Sequence, residues 1–406
     1  MSAIIMPIFT GVRIADFSWV IAAPLATQYL AIHGAEVIRI ESSLRPDVLR
    51  LNQPMINGDG PDNCAYYADY NMGKLDVSLN LRHPAAARLA KVLVANCDVA
   101  CENFTPGTME RLGLGYESLR QVRPDLIMIS MALAGQTGPE RSYKGFGTVI
   151  QAAAGITHFT GWPDRDPVGT GVAYTDFFAS PIAAAALVTA LEHRRRSGQG
   201  QYIDLSQQEA SLYALDAALL DQQVNGTEES RAGNHHRSAA PHGVYPCLGD
   251  DRWLAIAVFT DAHWAAMLAT MGRPNWALTE RFATFLGRKA EEDELDRCIS
   301  EWTMTQDVYA AMQALQAVGV PAGVVQDAGD LGRDPQLLHR GHFLPLKHPI
   351  FADYPFDALP YRVNGQIPLP PRPAPLLGQD NRYVFQELLG LSSAEFAALQ
   401  QDGAFT

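Results

Sequence analysis

The chain has 406 residues, 47% hydrophobic and 18% charged, which is ample to bury a core and points to two or three domains. Its formal net charge of -13 excludes a general attraction to nucleic acid or to an anionic membrane, so an anionic ligand needs a local pocket of cations. Cysteines 64, 97, 101, 247 and 298 form no repeated framework and no paired zinc-ligand spacing; they read as reduced, mostly buried thiols, with no metal site.

MSAIIMPIFTGVR at the N-terminus has no basic stretch ahead of its apolar residues, a poor fit to a signal peptide. No apolar run reaches the roughly 20 residues that span a bilayer, Pro181–Leu191 being too short, so a cytoplasmic protein is expected. In chain order, Val12–Phe17 is a short strand, Ala22–Ile32 has helical spacing with Gly34 suited to its C-terminal cap, and Glu36–Glu41 alternates as a strand. Leu75–Leu81 is a strand, Pro84–Asn96 a helix with proline in its first turn, and Asp98–Glu102 and Leu126–Met131 further strands. Arg39 is expected to face solvent from its strand. Strands separated by helices predict an α/β fold with a parallel sheet, which takes ligands at the carboxyl ends of its strands. The absence of GxGxxG argues against a dinucleotide cofactor.

Beyond a polar loop at Arg231–Pro246, Trp253–Phe259 reads as a strand and Thr260–Met271 and Glu291–Gln316 as helical. These predict a smaller α+β domain over residues 225–325, beside a large Rossmann-like domain over 1–220 completed by 330–406. Residues 345–375 are proline-rich and read as an extended crossing segment, and Gln386–Leu399 as a last helix.

The chemistry centres on Asp176. It precedes the apolar run Ala179–Leu191, which ends in Arg194, Arg195 and Arg196 before Gly198. Physical chemistry alone makes it a helix N-cap. A carboxylate at a helix N-terminus is also ionised at neutral pH, beside backbone donors that can hold an oxyanion.

Five stretches carry a resemblance: GVRIADFSWVIAAPLATQYLAIHGAEVIRIES (11–42), YNMGKLDVSLNL (70–81), CENFTPGTMERLGLGYESLR (101–120), GQGQYIDLSQQEA (198–210) and LGQDNRYVFQELLGLS (377–392). Together, and in this order, they resemble the class III CoA-transferases, the group of formyl-CoA, carnitine and benzylsuccinate transferases. The resemblance puts Asp176 on that family's catalytic aspartate. It implies nucleophilic catalysis through a mixed aspartyl anhydride and an aspartyl-CoA thioester, with CoA as substrate and no tightly bound cofactor. It points to Val20, Ile21, Lys74, Asn103, Phe104, Arg111 and Lys144 as CoA contacts, and to an interlocked homodimer. For the three cations the plain alternative is a solvated surface charge.

Two departures count against formyl-CoA and oxalate as substrates. Ile21 stands where formyl-CoA transferases have a glutamine, and Gly233-Asn234-His235-His236-Arg237 replaces their glycine-rich loop. His235, His236 and Arg237 become candidate contacts for an acceptor carboxylate, against the alternative of an ordinary solvated loop. A succinyl-CoA or other dicarboxylyl-CoA donor is the expectation, with intramolecular transfer as an alternative. A racemase acting on α-methylacyl-CoA shares this fold but needs a histidine where Phe146 stands. A non-catalytic CoA-binding subunit is disfavoured because Asp176 is present.

Overall fold

The structure, a computed structural model, describes residues 7–406, leaving aside the side chain of Asp353. It divides into two compact units. The larger holds the residues up to Thr157, Gly169–Thr227 and Leu338–Thr406; the smaller holds His158–Val168 and Glu228–Leu337. The smaller unit thus takes an excursion at His158–Val168 and runs on to Leu337, where a single stretch ending near 325 was expected.

The larger unit is built on six strands: β1 (Arg13–Asp16), β2 (Glu36–Glu41), β3 (Leu75–Ser78), β4 (Val99–Glu102), β5 (Ile127–Ser130) and β6 (Tyr202–Asp204). All pair in parallel, in the order β3-β2-β1-β4-β5-β6. Alternate residues serve opposite faces. Ala15, Ile38, Ala100 and Met128 join one core with Leu89 and Leu93. Ile14, Val37, Val99 and Ile127 join another with Leu30 and Leu187. Helix α1 (Ala22–Ile32) covers the second face, and α2 (Pro84–Ala95) the first. Both faces are therefore buried, as parallel sheets require.

This corrects the expectation for Arg39. Strand β2 lies inside the sheet, so neither face is open to water and Arg39 is fully buried. Its guanidinium is satisfied by Glu41 at 2.8 Å, Asn71 at 3.1 Å and Asp47. Arg50 continues the network to Glu41 at 3.0 Å, Asp62 at 2.8 Å and the Tyr67 hydroxyl at 2.7 Å. Buried charges persist only when paired and hydrogen-bonded in this way.

Helix α3 (Gly147–Ala153) and the 24-residue α4 (Tyr174–Ser197) follow β5. By length and composition alone α4 could cross a membrane. Ala179, Ala183 and Leu187 bury its inner stripe in the core shared with α1, and it ends on Gly198, whose φ of 72° forms a left-handed cap.

The proline-rich stretch also differs from expectation. Phe343–His348 and Ala352–Asp357 pair as an antiparallel hairpin. Pro345 and Pro355 stand directly opposite each other. Residues in such a pair either exchange both hydrogen bonds or neither, so two prolines at a position of the second kind remove no ladder bond. The C-terminal helical reading resolves into a π-helical Tyr383–Leu388 and an α-helix Ser393–Gln401 capped by Ser392 and Glu395.

The smaller unit is α+β. Strands His242–Pro246, Trp253–Ala257 and Ala322–Val324 form an antiparallel sheet. Trp264, Leu295, Ile299 and Leu315 from its helices pack with Leu254 and Ile256. The run read as helical over 291–316 is two helices, Glu292–Thr303 and Val308–Ala317, because Asp307 caps the second with bonds to the N–H groups of Tyr309 and Ala310. All five cysteines are free and buried.

Candidate active site

The strand order reverses between β1 and β4, and there the chain leaving β1 turns toward α1. Such a switch point opens a crevice at the carboxyl ends of the strands. Asn103, just past β4, clamps this turn: its Oδ1 accepts the Trp19 N–H at 2.8 Å and its Nδ2 donates to the Trp19 carbonyl at 2.7 Å. The Trp19 and Phe104 rings meet edge to face at 5.7 Å.

Two adjoining chambers share Trp19, Arg45, Phe104, Thr105 and Lys144 on their walls. The inner one, about 380 Å³, is lined further by Val20, Ala22, Asn103, Phe146, Gln207 and Asp176. The outer one, about 730 Å³, adds Arg82 and Arg111, giving four cations with Arg45 and Lys144. Glu41 also reaches its wall. Burial opposes the Glu41 charge, but Arg50 and Arg39 outweigh it and hold the carboxyl well below its usual range, so that acid is already neutralised from behind.

Asp176 is the third residue of α4, not its N-cap; the cap position is Ala173, which offers no side-chain acceptor. The carboxyl is only 6% exposed, and burial pushes its pKa up to about 6. Two contacts fix its place. Ser180 Oγ lies 2.7 Å from both the Asp176 and Ala22 carbonyl oxygens, tying the first turns of α4 and α1 together. Gly147 allows the close approach: a Cβ there would stand 2.5 Å from the Ala173 Cβ and 3.1 Å from Asp176 Oδ1. The first turn of α1 brings no side-chain cap at Ile21 and no N–H at Pro24.

Of the residues expected to contact CoA, Val20, Asn103, Phe104 and Lys144 line the inner chamber, and Arg111 the outer one. Ile21 is buried in the packing behind the turn, 3% exposed. Lys74 is fully buried and outside both chambers; its ammonium donates to Asp16 at 3.0 Å, the Pro24 carbonyl at 2.8 Å and Asn71 at 2.9 Å. It braces α1 against the sheet. Burial lowers its pKa to about 8, against the pull of Asp16. His235, His236 and Arg237 belong to the smaller unit. There His235 lies 3.2 Å from Asp296 and 3.5 Å from Glu292, while Arg237 pairs with Glu229 at 2.5 Å.

Trp19, Arg45, Arg82 and Gln207 also line the chambers, and sequence reasoning passed over them. Arg45 and Arg82 follow the carboxyl ends of β2 and β3, where a parallel sheet collects ligands, and that rule could have found them. Glu102, at the end of β4, is pushed up to about 7 by burial and accepts the Phe104 N–H at 2.7 Å.

A buried carboxyl on the wall of a chamber that adjoins a cation-lined one, at the switch point of a parallel sheet, marks an α/β protein with a site suited to an anionic ligand. Residues 9–381 match the model of CoA-transferase family III, and the chain belongs to that family and is a CoA-transferase. It is 33% identical to succinyl-CoA–D-citramalate CoA-transferase of Chloroflexus aurantiacus, over 96% of each chain. It is likewise 33% identical to succinate–glutarate CoA-transferase of Agrobacterium fabrum, over 94% of this chain and 96% of that one. Among solved structures, a CAIB/BAIF family protein from Brucella suis superposes with a TM-score of 0.87 at 30% identity, covering 94% of this chain and 99% of its own.

Proposed function

We propose that the protein moves CoA from succinyl-CoA, or a closely related dicarboxylyl-CoA, to a carboxylic acid, with Asp176 as nucleophile. The observation that carries this reading is a desolvated carboxylate, 6% exposed, on the wall of a chamber that opens onto four cations. The donor follows from relatives named for succinyl-CoA or succinate.

The Asp176 carboxylate attacks the thioester carbonyl, forming a mixed anhydride and releasing CoA thiolate. The thiolate attacks the aspartyl carbonyl, giving aspartyl-CoA and the free donor acid. The acceptor carboxylate then attacks aspartyl-CoA, forming a second anhydride and thiolate. Attack of that thiolate on the acceptor's acyl carbonyl yields the new acyl-CoA and returns Asp176. No net redox change or external cofactor is required. A carboxylate is a weak nucleophile, so positioning and desolvation supply most of the acceleration. The outer cations suit the CoA phosphates. We further propose that the enzyme acts in the cytoplasm as a homodimer, in keeping with the family resemblance. A racemase reading is not favoured: Phe146 cannot move a proton, and among the described residues the inner chamber's lining has no histidine and no second carboxylate.

The test is to incubate the enzyme with succinyl-CoA and hydroxylamine and map adducts by mass spectrometry. A hydroxamate at Asp176, absent from Asp176→Ala, is expected, with transfer by that variant reduced about 10⁴-fold or more. An unmodified Asp176 together with substantial turnover by Asp176→Ala would overturn the assignment. A panel of acyl-CoA donors and carboxylic acid acceptors then identifies the groups transferred.

A further inference from the structure

Val20 has φ of 67°, in the left-handed region. Among the described residues it is the only β-branched one with a positive φ; the other non-glycine cases are Asn57, Asp251, Arg273, Ala352 and Asn364. A β-branched side chain there is a true outlier, and such strain persists only where surrounding contacts impose it.

Those contacts are identifiable. Three successive N–H groups of the turn after β1 are each taken by a side chain: Ser18 by Asp16 at 3.0 Å, Trp19 by Asn103 at 2.8 Å and Val20 by Asp47 at 2.9 Å. Asp47 is fully buried and cannot move to follow the turn. Its Oδ1 accepts the Leu49 N–H at 2.9 Å, its Oδ2 also accepts from Arg39, and its own N–H donates to Glu41 at 3.2 Å. Arg39 is fixed in turn by Glu41 and Asn71. The charge network beneath the site therefore ends on the backbone of a strained residue whose neighbours, Trp19 and Ala22, form walls of the Asp176 chamber.

We propose that Asp47 is a positioning residue for CoA transfer: by holding the Val20 N–H it keeps the 18–21 turn in its strained form and sets the part of the Asp176 chamber's wall that Trp19, Val20 and Ala22 form. It touches no substrate. Released from Asp47, Val20 relaxes toward an ordinary negative φ, and Trp19 and Ala22 shift with it. Glycine takes positive φ freely, so Val20→Gly removes the need for the anchor. The inference rests on the chamber being the acyl-CoA site. Hydroxamate trapping at Asp176 reports on that reading alone, whereas the rescue below reports on the turn, so the two can fail separately.

The experiment compares Asp47→Asn, Val20→Gly and the double variant by steady-state kinetics with succinyl-CoA, checking each fold by circular dichroism. Asp47→Asn is expected to lower kcat by about 10- to 100-fold, with a smaller change in KM. Val20→Gly also removes a side chain from the chamber wall and so sets its own baseline; adding Asp47→Asn to it should cost less than about threefold, against the loss of about 10- to 100-fold in the wild-type background. A general weakening of the buried network would not be repaired by a glycine at position 20. Should Asp47→Asn fail to fold, Asp47→Glu keeps the charge against Arg39 while moving the acceptor off the Val20 N–H, and the same loss and rescue are expected. Wild-type kcat in a folded Asp47 variant, or an undiminished loss when Asp47→Asn is added to Val20→Gly, would overturn the proposal.

Discussion

The two chambers share a wall but are made by opposite means. The outer one gathers four cations on exposed side chains, Arg45, Arg82 and Lys144 from loops and Arg111 from the end of a short helix, with Arg45 and Lys144 on the shared wall. The inner one buries a single carboxylate against backbone turns, with Gly147, Ala173 and Ser180 setting its position. Charge in water binds by weak, adjustable, salt-sensitive contacts. Charge out of water is costly and must be positioned by packing. The difference suggests that changes in the outer chamber act on affinity and changes in the inner one act on the chemical step.

The sharpest way to break this comparison is Asp176→Asn, which removes the charge but keeps the shape. Activity should fall by at least about 10³-fold. Stability should move the other way. The folded pKa of Asp176 is raised to about 6, so wild type bears a penalty that is absent below the unfolded carboxyl pKa near 4 and complete above 6. The variant should therefore gain up to about 3 kcal/mol at pH 7.5 and nothing at pH 3.5, as read by urea melts at the two pH values. By the same protonation, wild-type kcat/KM should drop about tenfold per unit as pH falls below 6.

Gly147→Ala tests whether packing alone positions the carboxylate. The added methyl meets Ala173, a residue with no flexible end to give way, and then Asp176 itself. A loss of about 10- to 100-fold in kcat, with folding retained, is expected from such a small displacement. The smallest effects belong to the outer chamber. Arg82→Ala and Arg111→Ala should each raise KM for the acyl-CoA by about 3- to 10-fold and leave kcat unchanged, and added salt should shrink the difference from wild type. A kcat effect from either arginine would join the two chambers functionally and end the distinction.

Much of the larger unit's secondary structure was legible. The helix at Ala22–Ile32 and the strand at Glu36–Glu41 have the limits that periodicity predicted, since each carries one strong period between clear stops. The hairpin at 343–357 was not legible, because proline argues against a strand unless its register partner is known. Arg39 read as a surface cation and Lys74 as a CoA contact for a similar reason: their carboxylate partners, Asp47 and Asp16, lie 8 and 58 residues away. Asp176 stood out by resemblance, but its place inside the helix and its burial required the packing of α4 on α1.

The sequence by itself determined the alternation of strand and helix, the nucleophile candidate and the family, because these rest on local period and on short stretches of residues. Tertiary structure alone decided which charges are buried and paired, which cations face the outer chamber, and that a valine at the site is held in a glycine-like conformation. Those properties depend on partners distant in the chain, and burial changes both the cost of a charge and the conformation a backbone can be made to hold.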